Sequence, residues 1–298
     1  MDVLVLGGRG FIGRYVTAAL RERGDRVIVA SRRRGAGVVT VRLERLLEAA
    51  AWHPLVRGFD VVVNCVGILR ERIGERYEAI HHLAPAALAD ACDEAAVRLV
   101  HVSALGLEGA CHAFMTSKKR GEDAILAAMD DCVIVRPSLL DGHGGFGALW
   151  LRAMARLPIH VVPTQAVGRI AALDVEDLGL AIAALCHARR GSLERVVEFG
   201  GPRALSFADY LRSLRRSARP ARTLHAPAVL ARVAARVCDA LHFSPYSAGH
   251  LELLTRDNVP AVNALPGLLG RAPRAVGASR SMIDPRAALT PSPPQPSP

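Results

Sequence analysis

Only 4% of the 298 residues are aromatic, so a core of ordinary size has to be built mainly from Val, Leu, Ile and Ala. Lysine is nearly missing: Lys118 and Lys119 are the only two, although the formal net charge is +10 at neutral pH. Arginine carries the rest, and against that bias a lysine at a given position is informative. The arginines form no long block, but short runs such as those at Arg32 to Arg34 and at Arg215 to Arg216. No zinc-finger, RNP or basic-zipper pattern accompanies them, so no specific nucleic-acid partner is expected. A phosphorylated small molecule or an anionic membrane surface suits this charge better. Cysteine pairs are lacking too. Cys65, Cys92, Cys111, Cys132, Cys186 and Cys238 stand far apart with no C-x-x-C, and Cys65 and Cys132 lie inside apolar runs. They read as buried, reduced thiols rather than metal ligands or disulfides, and no metal is expected. There is no basic-then-apolar leader at the first residues. No apolar stretch reaches the ~18 residues of a membrane span. The expectation is a cytoplasmic protein, at most peripheral at the inner face of a membrane.

What is present is a rhythm. Apolar runs at Val3–Leu6, Arg26–Ala30, Val38–Val41, Asp60–Val66, Val97–Val102 and Cys132–Val135 read as strands. Between them lie helix-period segments at Phe11–Glu22, Glu44–Leu55, Glu75–Ala95 and Phe114–Met129. Strict alternation implies right-handed crossovers and an α/β fold with a Rossmann-type, doubly wound parallel sheet. After Arg136-Pro137 the rhythm loosens. Helices are expected at Val175–His187, Phe207–Arg216, Pro227–Phe243 and Ala248–Thr255, with extended pieces at Ile159–Val162 and Arg195–Phe199. The chain therefore divides into a dinucleotide-binding domain at 1–140, a small mainly helical subdomain packed on it at 141–277, and a Pro/Ser-rich tail at 278–298 expected to be disordered.

The segment LGGRGFIG follows the first strand and opens the first helix. Gly7 permits a tight turn, Gly10 lets backbone approach a pyrophosphate, and Gly13 lets the helix pack closely on the sheet. Phe11 and Ile12 belong to the same helix mouth, where free N–H groups and a partial positive charge face the phosphates. The second strand ends Ser31-Arg32-Arg33, without the carboxylate that would hold a ribose 2′-hydroxyl. Guanidinium forks grip a 2′-phosphate, so NADP(H) is favoured over NAD(H). Asn64, Val66 and Gly67, ending the buried strand, are expected beside the cofactor.

The chain resembles the atypical or extended short-chain dehydrogenases/reductases, an epimerase-like group. The resemblance rests on GGRGFIG at Gly7 to Gly13, DVVVNCVGIL at Asp60 to Leu69, HVSALG at His101 to Gly106, SKKRGED at Ser117 to Asp123 and VRPSLLDG at Val135 to Gly142. Within that superfamily, NCVGIL, VSALG and LELLTRDNV at Leu251 to Val259 are similar to the group of the NADPH-binding accessory subunit of respiratory complex I.

The resemblance implies a site. Family members use a serine, and a tyrosine four residues before a lysine, the tyrosine being the acid/base. Ser103 matches the serine and Lys118 the lysine, which would also hold the nicotinamide ribose. Phe114 stands at the tyrosine position and has no proton to give. None of Tyr15, Tyr77, Tyr210 and Tyr246 is near it in sequence. His81 falls where extended members carry Asn near the nicotinamide, and an imidazole there could shuttle protons. Pro137, Ser138 and Leu139 are where the family's backbone meets the nicotinamide amide. Asp177 matches the closing Asp of a His-Val-x-Asp phrase, with Asp174 in place of the His.

The expected function is an NADP(H)-binding protein with a degraded active site, serving as an accessory, assembly or redox-sensing subunit linked to respiratory or quinone metabolism. The alternative is a working NADPH-dependent reductase or epimerase with a non-tyrosine proton donor. Pro227–Phe243 carries apolar residues on one side and Arg232 and Arg236 on another, so a protein partner or an anionic membrane surface could meet the C-terminal helices.

Overall fold

The computed structural model describes residues 1–276 except 193, 216–218 and 242–245. The 278–298 tail and the ends of the Phe207–Arg216 and Pro227–Phe243 expectations lie outside the described residues.

In the first half, β1 (Asp2–Leu6), α1 (Phe11–Glu22), β2 (Arg26–Ser31), β3 (Val38–Thr40), α2 (Ala49–Val56), β4 (Val61–Asn64), α3 (Ala84–Glu94), β5 (Arg98–Val102), α4 (Ala113–Ala128) and β6 (Cys132–Pro137) follow one another. The second half contributes β7 (Leu140–Asp141), α5 (Phe146–Arg156), β8 (Ile159–Pro163), β9 (Arg169–Ile170), β10 (Leu173–Asp174) and α6 (Val175–His187). It continues with β11 (Val196–Phe199), β12 (Leu205–Ser206), α7 (Phe207–Leu214), β13 (Arg222–Ala226), α8 (Ala228–Leu241), α9 (Ala248–Leu253) and α10 (Leu265–Leu269).

Seven parallel strands form one sheet in the order β11-β6-β5-β4-β1-β2-β3. The alternation of β1 shows why it is central. Val3 and Val5 face one apolar layer with α1 and α6, while Leu4 and Leu6 face the other with α2 and α3. Strands buried on both faces have to be apolar throughout, as these are. The order reverses between β1 and β4, and a crevice opens there at the carboxyl ends of the strands. The seventh strand comes from beyond residue 140: α6 packs on α1 and β11 pairs with β6, so this part of the second half returns to the sheet.

Local differences from the sequence expectation have physical causes. The Glu44–Leu55 helix is a short 3-10 turn at Leu43–Arg45 followed by α2. The Glu75–Ala95 helix is instead a tight turn, a π-helical stretch at Glu78–Leu83 and then α3. Pro85 has no N–H to return to the preceding turn, and the helix widens ahead of it. The His81 carbonyl lies against α4, where a Cβ on Gly121 would stand 1.9 Å from it, so only glycine fits. The pairs β7–β10 and β9–β12 join two-residue segments too short to show any period, while β8, at the expected Ile159–Val162 extended piece, pairs with β13. Among the described residues no helix is long and apolar enough to cross a membrane.

Candidate functional site

Gly7 turns the chain at φ +74°, and its N–H donates to Ala30 while its carbonyl accepts from Gly10 N–H at 2.7 Å. Gly10 is the N-cap of α1; no side chain caps this helix and no acidic residue lies in its first turn. The N-terminus is thus left open toward the crevice, as an anion requires. Above it lies a cleft of about 720 Å³. Its wall includes Gly7, Gly10, Phe11, Ile12, Ser31, Arg32, Arg33, Val66, Gly67, Ser103, Phe114, Lys118, Pro137, Ser138 and Leu139. The structure thus brings most of the sequence-derived residues together. Gly13, Asn64 and His81 do not line the cleft; they shape it from behind.

At the end formed by β2, Arg32 is ion-paired with Glu75, which reaches over from the loop after β4. Arg33 has no ion-pair partner among the described residues, and its N–H donates to Ser31 Oγ at 3.3 Å. Two further arginines line the same end, Arg9 from the glycine turn and Arg42 from the segment after β3. Arg9 donates to the Arg34 carbonyl, and Arg42 lies 3.7 Å from Glu44. Arg9 was legible as part of GGRGFIG but carried no signal of its own. Arg42 reaches the cleft only through the sheet.

The other end holds Ser103, Phe114 and Lys118. Ser103 is buried just after β5, and its Oγ has no hydrogen-bond partner among the described residues. Lys118 projects from α4 toward Gly67, where an added Cβ would lie 3.8 Å from Nζ. Its ammonium has no hydrogen-bond partner among the described residues, and burial lowers its pKa to about 8, partly offset by Glu122. A buried amine and a buried hydroxyl, both unpartnered, face a cavity large enough for a dinucleotide; these groups fit such a cofactor.

His81 is engaged on both ring nitrogens. Nε2 accepts from Ile68 N–H at 3.1 Å, and Nδ1 lies 3.1 Å from Ser117 Oγ, which donates to the Phe114 carbonyl. Burial, with the neighbouring Lys118 charge, holds its pKa down near 2, so the ring is neutral. Asn64 is likewise committed: Oδ1 accepts from Val66 N–H and Nδ2 meets His101 Nδ1. The Phe114 ring is boxed by Tyr77, His81 and His250, with centroids 5.7, 5.5 and 6.1 Å away. Folding does bring a tyrosine to position 114, but Tyr77 Oη donates to the Leu69 carbonyl, and burial pushes its pKa up to about 12.

The C-terminal segment closes this end. His250 lines the cleft, and its Nδ1 is held by Ser247 Oγ at 2.6 Å. Burial and the nearby Arg70 depress its pKa to about 4. Asn258 Oδ1 takes Ser138 Oγ–H and Leu139 N–H, while Nδ2 donates to the Leu105 carbonyl. Ser138 N–H goes to the Phe199 carbonyl. The N–H groups of Ser138 and Leu139 are therefore spent inside the protein. Sequence reasoning missed His250, whose only local signal was a serine three residues earlier capping α9. Asp174 caps α6, and Asp177 binds Arg271 and the Arg274 N–H, so this cluster tethers the chain rather than facing the cleft.

Residues 3–125 match the family model described as the NAD dependent epimerase/dehydratase family. A parallel sheet whose order reverses beside β1, with an open helix N-terminus at that point, suits a nicotinamide dinucleotide. The chain is 32% identical to the ceramide reductase of Caulobacter vibrioides over 62% of its own length and 61% of that protein. It is 30% identical to the mitochondrial NADH dehydrogenase [ubiquinone] 1 alpha subcomplex subunit 9 of Rattus norvegicus over 47% of this chain and 40% of that one. It spans less than two thirds of either relative. Among solved structures, MoeE5 in complex with UDP-glucose and NAD superposes with a TM-score of 0.64 at 20% identity, covering 92% of this chain and 94% of that one. That likeness shows the fold.

Proposed function

We propose that the cleft holds NADP(H) in preference to NAD(H), and that the protein works as a cofactor-bound accessory, assembly or redox-sensing subunit tied to respiratory or quinone metabolism. One observation carries this reading: Phe114 fills the place of the proton donor, while Lys118 and the glycine turn, which serve binding, are kept. Arg9 and Arg33 supply the charge for a 2′-phosphate, and β2 ends without a carboxylate of its own. The complex I subunit relative supports a partner-bound role. The test is to identify by mass the cofactor that co-purifies, then to mix the protein with ketones, quinones and nucleotide sugars. NADP(H) that stays bound and unoxidised supports the reading; rapid oxidation overturns the accessory role, and NAD(H) alone overturns the cofactor preference.

A second reading has its own observation. Ser103 Oγ is still unpartnered and His250 presents an imidazole at the same end of the cleft. These two groups suit a reductase whose proton passes through His250, and the ceramide reductase relative points to an amphipathic lipid as its substrate class.

A further inference from the structure

The helix α8 has three faces. Ala231 and Ala235 are buried against Tyr246 and Leu251. Val229, Leu230, Val233, Val237 and Leu241 are between 47% and 64% exposed on a second face. Arg232 and Arg236, at helical spacing between the two, have no ion-pair partner among the described residues. Nothing described covers the apolar stripe.

Two contacts tie this helix to the mouth of the cleft. Tyr246 donates to the Ala231 carbonyl at 3.2 Å and stacks on Trp150 of α5, centroids 6.3 Å apart. On that same helix Phe146, which lines the cleft, and Leu149 are more than half exposed. From the opposite rim, Arg70 bonds Asp239 Oδ1 at 3.2 Å and the Tyr246 carbonyl. Its neighbour Leu69 lines the cleft and is itself exposed. Beyond it, Arg72 and Glu75 exchange two backbone hydrogen bonds of 2.9 Å, closing a tight turn through Gly74 at φ +81°. Ile73 stands fully exposed at the tip. Water gives no reason to hold an isoleucine there or to array five aliphatic residues beside unpaired arginines. Apolar groups flanked by arginine, on a chain of net charge +10, match a surface that offers hydrocarbon beneath anionic headgroups.

We propose that the protein docks on an anionic lipid bilayer through the exposed stripe of α8, Ile73 and the apolar rim of the cleft, so that the substrate end of the cleft opens onto the lipid. The docking stands without a cofactor; only the placement of the cleft rests on the dinucleotide reading.

The experiment is flotation of the full chain with vesicles of phosphatidylcholine alone and of phosphatidylcholine mixed equally with phosphatidylglycerol, with NADPH binding read by fluorescence on the same samples. Flotation with the mixed vesicles only, weakened by salt, is expected. The double substitution Val233→Asp with Val237→Asp should weaken it by roughly tenfold or more, as should Arg232→Glu with Arg236→Glu. Both pairs should keep wild-type NADPH affinity and melting temperature, and if the first pair fails to fold the second decides. Failure to float, equal flotation with neutral vesicles, or unchanged flotation of the variants would overturn docking. So would a stable dimer in solution that Val233→Asp with Val237→Asp dissolves, because the stripe would then be an interface between copies. Flotation without NADPH binding would instead sink the cofactor reading and leave docking intact.

Discussion

The His250 ring lies against Phe114 with centroids 6.1 Å apart and planes 24° from parallel. The Phe114 ring is thus covered by an imidazole that lines the same cleft. Which of the two positions governs turnover can be asked directly. Phe114→Tyr is expected to raise single-turnover oxidation of bound NADPH by roughly 10²-fold or more, as general acid catalysis is restored. His250→Ala in the wild-type background should change little. Stopped-flow traces with a ketone panel check both, and a fast wild-type reaction abolished by His250→Ala would show that the imidazole has taken over.

The arginines around β2 predict an asymmetric pair of effects. Arg33→Ala should weaken NADPH by about tenfold and NADH hardly at all, because one charge-assisted contact to the 2′-phosphate goes. Glu75→Gln should do the reverse, since it frees Arg32 from its ion pair and removes a negative charge from the same end of the cleft. Calorimetry with the two cofactors decides. Parallel changes in both affinities would assign these side chains to the surface alone.

Lys118 couples stability to pH. Its pKa falls from 10.5 to about 8 on folding because burial penalises the ammonium. Below pH 8 both folded and unfolded chains carry the charge, and the penalty is complete. Between about 8 and 10.5 the unfolded chain binds the extra proton, so stability of the cofactor-free protein rises with pH, by on the order of 3 kcal/mol. Lys118→Met should therefore stabilise the cofactor-free protein at pH 7 and flatten that rise, while weakening NADPH. Wild-type NADPH affinity should fall as pH passes 8. Denaturant titrations of both proteins at pH 7 and 10 test the sign.

The two inner glycines should separate binding from folding. A Cβ at Gly13 would stand 2.3 Å from the Gly7 carbonyl oxygen, a backbone atom with no room to yield. At Gly10 the nearest atom is that same oxygen at 3.0 Å. Gly13→Ala should cost ~1–3 kcal/mol of stability as well as the cofactor. Gly10→Val should leave a largely cooperative melt and abolish dinucleotide binding. Near-wild-type affinity in Gly10→Val would reduce the turn to a purely structural one.

The parallel sheet was legible because buried strands such as Val61–Asn64 are apolar up to their last residue and alternate with helix-period segments. The glycine turn was legible because its residues are required by the backbone itself. What the sequence did not disclose depends on distant contacts. His81 reads as a free imidazole until Ile68 and Ser117 occupy its nitrogens. Arg32 reads as an open fork until Glu75 arrives from the loop after β4. His250 carries only a capping serine three residues earlier and Asn258 only its place in LELLTRDNV, and their meaning comes from the strand ends they reach. Short pairs such as β7–β10 escape any periodicity because two residues cannot show one.

Asn258 gives the site a direction in time. It bonds Ser138, Leu139 and Leu105, all made more than a hundred residues earlier. In a chain emerging from the ribosome at ~5–20 residues per second the glycine turn precedes Asn258, and the floor beneath Ser138 is finished only once Asn258 has followed. A nascent or truncated chain ending before Asn258 would carry the phosphate cradle without a completed far wall. Full retention of a dinucleotide would then report that translation and folding have both passed Asn258.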